Sequence, residues 1–223
     1  MKRIYSLIIT AFALLACSQS IDAQYAQIAS RIPGLIQPAL SGSLNYKGYV
    51  ELSGVAGVGT NKANFVGIST TQGFRYASWF FMGVGLGVDM VRSNSATPNG
   101  GGFQSGQRSF TQTKAMIPVF TDFRFNLGNA SRVSAVIDVK LGASWLLGNS
   151  YLSMETAYLS TATQFYMRPS IGVRIPVKSD SMKNAVNVML TYQLLTNNNN
   201  YYYYNSVSSP TLSAVGVTLG YEW

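Results

Sequence analysis

Eleven ionisable residues punctuate otherwise apolar stretches: Lys47 and Glu51, Arg75, Asp89, Asp122 and Arg124, Asp138 and Lys140, Arg168, Arg174 and Glu222. The pairs Asp122-x-Arg124 and Asp138-x-Lys140 invite two kinds of chemistry. Two carboxylates on neighbouring strands could act as general acid and base. The same spacing sets each carboxylate beside a cation, and ion pairing with Arg124 and Lys140 accounts for all four residues without a substrate. Nucleophilic and metal chemistry lack their parts. The 223 residues include no histidine, which removes Ser-His-Asp and Cys-His catalysis, His-containing metal sites and an imidazole switch near neutral pH. No catalytic, metal or cofactor-binding residue is assigned, no cofactor is expected, and the chain reads as a non-enzyme.

Composition says where such charges could sit. Only 11% of residues are charged while 47% are hydrophobic, against about 25% charged in an ordinary soluble domain. Sixteen Lys and Arg outnumber eight Asp and Glu, for a formal charge of +8. The basic residues are scattered singly instead of forming one face, so nucleic acid is not an expected partner. With 14 Tyr, 21 Gly and abundant β-branched residues, neither a disordered chain nor a long helical bundle fits.

The N-terminus reads as an export signal. Lys2 and Arg3 precede an uncharged run from Ile4 to Ala16 and a polar stretch from Cys17 to Ala23, the n, h and c order of a secretory leader. The run is shorter than the roughly 20 apolar residues of a spanning helix. Residues 1–23 are therefore expected to be a signal peptide, cut after Ala23. Leu14-Leu15-Ala16-Cys17 offers a competing lipobox reading in which Cys17 is acylated. Residues 24–45 read as an N-terminal periplasmic extension. Ile28, Ile32, Leu35 and Ile36 have helical spacing there, but Pro33-Gly34 interrupts it.

From Tyr46 onward the hydrophobic period is two, predicting eight strands: Lys47 to Val58, Phe65 to Tyr76, Trp79 to Val91, Ala115 to Leu127, Val133 to Leu147, Thr163 to Val177, Val186 to Thr196 and Leu212 to Trp223. Pro118 and Pro169 would demote their strands to edges of an open sheet, or else mark a strand end or a bulge. Connections alternate short and long after a brief first one at Gly59 to Asn64. The long ones are Arg92 to Lys114, Gly148 to Ala162 and Asn197 to Thr211. That alternation describes an all-β, eight-stranded antiparallel up-and-down transmembrane β-barrel over residues 46–223, with short periplasmic turns.

Sorting each strand by parity separates the charges. One face carries residues such as Val66, Ile68, Leu86, Val88, Ile117, Val139, Ile171, Leu190 and Val217. Every charge falls on the other face, among Gly, Ser, Thr and Asn. A soluble barrel would turn its apolar face inward and cover its outside with charge, for which this chain has too few residues. A membrane barrel inverts the arrangement, because an outward Arg or Lys at the bilayer midplane costs about 2–4 kcal/mol. The expected lumen network is Glu51, Arg75, Asp89, Asp122, Arg124, Asp138, Lys140, Arg168 and Arg174, joined by Lys47 and Glu222. Trp79, Phe80, Tyr76, Trp145, Tyr192, Tyr221 and Trp223 suit interfacial girdles.

Ser69-Thr70-Thr71-Gln72-Gly73-Phe74, the run Phe80 to Asp89, Ile117-Pro118-Val119-Phe120 through Arg124, and Tyr166 through Val173 resemble stretches of small bacterial outer-membrane β-barrel proteins of the porin family. The alternation Val217, Leu219, Tyr221, Trp223 resembles the C-terminal signal read by the barrel assembly machinery. The resemblance implies an outer-membrane location in a Gram-negative envelope. It also implies outer-membrane lipids including lipopolysaccharide as surroundings, with assembly machinery and periplasmic chaperones as partners during biogenesis. A porin label is not taken literally, since eight strands enclose a lumen filled by side chains. The leading functional expectation is a plugged barrel whose loops serve envelope integrity, adhesion or other contacts. Phe103, Phe110, Tyr151, Tyr158 and Tyr201 to Tyr204 are its candidate ligand contacts. The alternatives are a narrow channel or small-solute or lipid transporter, and a soluble periplasmic barrel.

Overall fold

The computed structural model describes residues 45–59, 62–97, 108–128, 132–148, 152–153, 158–159, 163–177, 184–197 and 211–223. The expectations for residues 1–44, and for Phe103, Tyr151 and Tyr201 to Tyr204, lie outside them. The described strands are β1 (Asn45–Val58), β2 (Ala63–Ala77), β3 (Phe80–Thr97), β4 (Arg108–Leu127), β5 (Ser134–Leu146), β6 (Leu152–Ser153), β7 (Tyr158–Leu159), β8 (Gln164–Pro176), β9 (Ala185–Asn197) and β10 (Thr211–Glu222). Eight of them form a closed barrel in the order β1-β10-β9-β8-β5-β4-β3-β2, every neighbouring pair antiparallel. β6 and β7 pair only with each other, within the connection between β5 and β8. Among the described residues there is no helix.

Closure follows from the parity pattern, because a sheet with two different faces and no free edge satisfies every ladder while keeping the charged face enclosed. One end, the turn end, carries the connections 78–79, 128–133 and 177–184 together with the start of β1 and the end of β10. The other, the loop end, carries 59–62, 98–107, 147–163 and 198–210. β3 and β4 are longer than their sequence pattern implied. Beyond Arg92 and Thr113 they pair with each other from Ser93↔Gln112 to Thr97↔Arg108, so Phe110 belongs to a strand and not to a loop. Tyr158 likewise stands in β7, opposite Ser153.

Neither proline makes an edge. The β3–β4 ladder holds Leu86↔Val119 and Asp89↔Met116 but lapses between them, where Pro118 would face Gly87. The β8–β9 ladder lapses in the same way between Met167↔Leu194 and Ser170↔Thr191, beside Pro169. Register is unchanged across both gaps, so these are not bulges. Each proline lacks only one N–H, and its strand stays paired through β5, at Pro118↔Ser144 and Val139↔Pro169. The described register shift is elsewhere, between Arg75 and Ala77.

The outer surface is apolar. Val50, Leu52, Val66, Ile68, Leu86, Val88, Leu141, Ile171, Val188, Leu190, Val217 and Leu219 are all exposed. Aromatic residues gather at the turn end of this face. Trp79 stacks on Phe125 at 6.2 Å, Phe80 lies 5.3 Å from Phe125, and Tyr221 stacks on Trp223 at 6.4 Å. Toward the loop end, Trp145 Nε1 donates to Thr163 Oγ1 at 3.0 Å, and the Tyr192 and Ser213 hydroxyls are 2.9 Å apart.

Candidate functional site

Alternation sends Lys47, Tyr49, Glu51, Ser53 and Val55 of β1 into the lumen, with the matching parity of the other seven barrel strands. The enclosed charges resolve into three tiers stacked along the barrel. Nearest the turn end, Glu222 on β10 holds three cations: Lys47 at 2.9 Å, Arg75 at 2.7 Å and Arg174 at 2.8 Å. These arrive from β1, β2 and β8, so one carboxylate ties strands from different parts of the wall.

The second tier places Arg124 and Lys140 among three carboxylates. Arg124 Nη2 lies 2.5 Å from Glu51, 2.9 Å from Asp138 and 3.5 Å from Asp122. Lys140 Nζ lies 2.9 Å from Glu51 and 3.8 Å from Asp122, and it donates to Asp138. The cross-strand register explains the interleaving: Asp122 stands opposite Lys140 and Arg124 opposite Asp138, the arrangement in which opposite charges attract across a ladder. The Arg124 guanidinium also covers the Tyr49 ring at 3.9 Å, a contact strengthened where water is excluded.

In the third tier Arg168 Nη2 reaches Asp89 at 3.0 Å and Gln193 Oε1 at 2.6 Å, while Nη1 donates to Ser53 Oγ at 3.2 Å. Asp89 can occupy its place because its neighbour on β2 is Gly67. A Cβ there would fall 1.7 Å from Asp89 Oδ1. All eleven charged residues are at least nine-tenths buried. The residues proposed from the sequence as a network are thus brought into contact tier by tier. Six cations face five carboxylates, with the cation surplus at the turn end and the carboxylate surplus in the middle.

One feature of the lumen departs from the sequence reading, which gave the inward face to polar and small residues. Above the third tier the lumen becomes largely apolar, with Ser93, Ser144 and Gln164 interspersed. Val55, Ala63, Phe65, Val91, Met116, Phe120, Leu146, Tyr166, Leu195, Leu212 and Ala214 form one buried cluster to which all eight barrel strands contribute, and Leu152 of β6 enters it from the loop. Phe120 and Tyr166 stack across it at 5.8 Å. It is a transverse apolar septum. The sequence signal lies in the loop-end halves of the strands, where inward positions such as Val55, Phe65, Val91, Met116, Leu146 and Leu195 are apolar while the turn-end halves carry the charges.

Chemically, the carboxylates of the middle tier are arranged to be neutralised by Arg124 and Lys140, and among the described residues no group of His, Cys, Asp and Glu is placed to hold a metal ion. Several lumen atoms have no protein hydrogen-bond partner, among them Tyr49 Oη, Asp122 Oδ1, Asp138 Oδ1 and both side-chain polar atoms of Asn187. Water is the ordinary partner of such groups in polar interiors. The four residues of the C-terminal alternation line the outer face of the seam between β1 and β10. Val217, Leu219 and Tyr221 stand opposite Gly54, Leu52 and Val50. Trp223 exchanges backbone hydrogen bonds of 3.1 and 3.2 Å with Gly48.

No family model matches the chain, and no curated protein matches it. Solved structures of small outer-membrane barrels do align with it. Neisserial surface protein A (NspA) superposes with a TM-score of 0.44 at 12% identity, over 79% of this chain and 95% of that one. The N-terminal β-barrel domain of Pseudomonas aeruginosa OprF gives 0.39 at 10% identity, over 81% and 99%. The outer membrane enzyme PagL gives 0.41 at 12% identity, over 78% and 97%. Likeness at this level adds nothing to what the barrel's own strands and side chains establish, which is a closed, eight-stranded antiparallel β-barrel.

Proposed function

We propose that this chain is an integral outer-membrane protein whose barrel is a sealed, non-enzymatic anchor, holding its loop end at the cell surface for envelope integrity, adhesion or other contacts. The observation that carries the reading is the lumen: among the described residues, eleven buried charges paired in three tiers and an apolar cluster to which all eight barrel strands contribute fill its interior. The outer face supports the membrane placement. Soluble monomers rarely expose contiguous apolar patches beyond a few hundred Å², whereas here exposed Val, Leu and Ile encircle the barrel. The turn end then faces the periplasm, and lipid, including lipopolysaccharide, surrounds the wall. The outward apolar alternation of Val217, Leu219, Tyr221 and Trp223 along the β1–β10 seam supports delivery to the membrane by chaperones and the assembly machinery.

Planar-bilayer recording of the detergent-folded chain tests the seal. No steady conductance above background is expected, and stable open-channel currents would overturn the sealed-anchor reading. Gel mobility tests the membrane barrel itself. The folded chain should migrate faster before boiling than after it, and a chain that never shifts and never enters the membrane fraction would sink that part.

A further inference from the structure

Lys62 and Arg92 are exposed cations at the loop end of the outer face. Asn64 stands opposite Arg92 in the β2–β3 ladder, and Lys62 immediately precedes β2, two residues before Asn64 and exposed like it. Their neighbours Ala63 and Ser93, which are also opposite each other, turn inward and are buried, so both cations point away from the lumen. Asn64 Oδ1 is engaged by the Gly57 amide at 3.0 Å, which ties the β1–β2 turn beside them. Among the described residues every carboxylate, Glu51, Asp89, Asp122, Asp138 and Glu222, is buried in the lumen, and neither Lys62 nor Arg92 has a described partner.

Directly toward the barrel's middle, the same two strands present an apolar wall. Val66 faces Met90, each 59% exposed, and Ile68 faces Val88. We infer that Lys62 and Arg92, above the Val66, Ile68, Val88 and Met90 wall, form a site for a phosphorylated acylated glycolipid of the outer leaflet, its phosphate on the two cations and an acyl chain along the wall. The inference rests on the sealed-anchor reading for its placement of the loop end at the outer surface. Two neighbouring exposed cations match a phosphate, and the wall below matches hydrocarbon. Arg92 can hold its place on a lipid-facing column because it stands at the margin of the membrane band, where an outward charge costs little.

The full chain, inserted in phosphatidylcholine nanodiscs, is titrated with bis-phosphorylated lipid A, with the dephosphorylated glycolipid and with phosphatidylglycerol. Each cation near an anionic headgroup is worth about 5-fold. The double variant Lys62→Gln/Arg92→Gln should therefore bind the phosphorylated glycolipid about 25-fold more weakly than the unaltered chain. Arg132→Gln, an exposed cation at the turn end, should leave binding unchanged. Equal binding by the double variant, an equal loss in Arg132→Gln, or no preference over the dephosphorylated glycolipid would overturn the site. Phosphatidylglycerol binding as tightly would overturn the glycolipid assignment. A chain that fails to insert overturns the anchor reading and the site with it; a chain that inserts and binds lipid regardless of Lys62 and Arg92 overturns only the site.

Discussion

Nη2 of Arg124 touches Glu51, Asp138 and Asp122 from a fully buried position. Replacing the guanidinium by a thioether, Arg124→Met, leaves three carboxylates with Lys140 alone, and breaking a buried pair by deleting one partner costs about 3–5 kcal/mol. Urea unfolding of the micelle-folded barrel should show that loss, while Arg92→Gln, exposed on the outer face, should stay within about 0.5 kcal/mol. A loss below about 1 kcal/mol for Arg124→Met would show that the second tier is not a stabilising tie. Glycine gives a second residue-level contrast. Gly67→Ala drives a methyl into Asp89 and should cost about 1–3 kcal/mol. Gly54→Ala has nothing within 4 Å of the new methyl and should be near neutral. Similar midpoints for both, from the same unfolding experiment, would contradict the packing around Asp89.

At the scale of elements, the β6–β7 hairpin is attached to the barrel through Leu152, which is buried in the septum. Truncating a buried Leu to Ala costs about 2–5 kcal/mol where the site cannot collapse. Among the described residues β6 and β7 pair with each other and not with the barrel strands, so the loss falls on local docking of β6 and not on the barrel ladders. Leu152→Ala should therefore accelerate protease cleavage between Leu147 and Gln164 while the global unfolding midpoint stays put, and unchanged cleavage would show that Leu152 does not hold the hairpin. The seam between β1 and β10 is fastened differently. A Cβ on Gly48 would lie 2.3 Å from the Trp223 ring, so the absent side chain is the seat of the terminal indole on the outer face.

For the whole molecule, the three tryptophans report its position in a bilayer. Trp79 and Trp223 lie at the turn end of the outer face and Trp145 toward the loop end, all of them exposed. In a membrane-spanning barrel they sit at the two interfaces. Bromines placed high on lipid acyl chains should then quench the fluorescence more than bromines near the bilayer centre. Equal quenching at both depths would refute the girdle placement, and no quenching at all would mean that the apolar belt is not covered by lipid. This readout is independent of conductance, so the seal and the membrane placement can fail separately.

Much of this barrel was legible because its period is local. Each strand's parity is fixed by alternating side chains, and that alternation separated charge from apolar surface before any partner was known. The absence of histidine also excluded histidine-dependent chemistry. Which charge meets which was not legible, because contacts such as Arg75 with Glu222 and Arg168 with Asp89 join residues far apart in sequence. They depend on shear and closure, which set the height at which each strand delivers its side chains. The two prolines misled for a related reason: a missing N–H signals an edge in an open sheet, but a closed barrel absorbs it as a gap in one ladder. The sequence by itself determined two faces, eight strands and an enclosed set of charges, since these follow from side-chain chemistry at a period of two. Only the tertiary structure decided the three tiers, the apolar septum above them and the Leu152 contact that caps it, because each is assembled from single residues on many strands brought to one level.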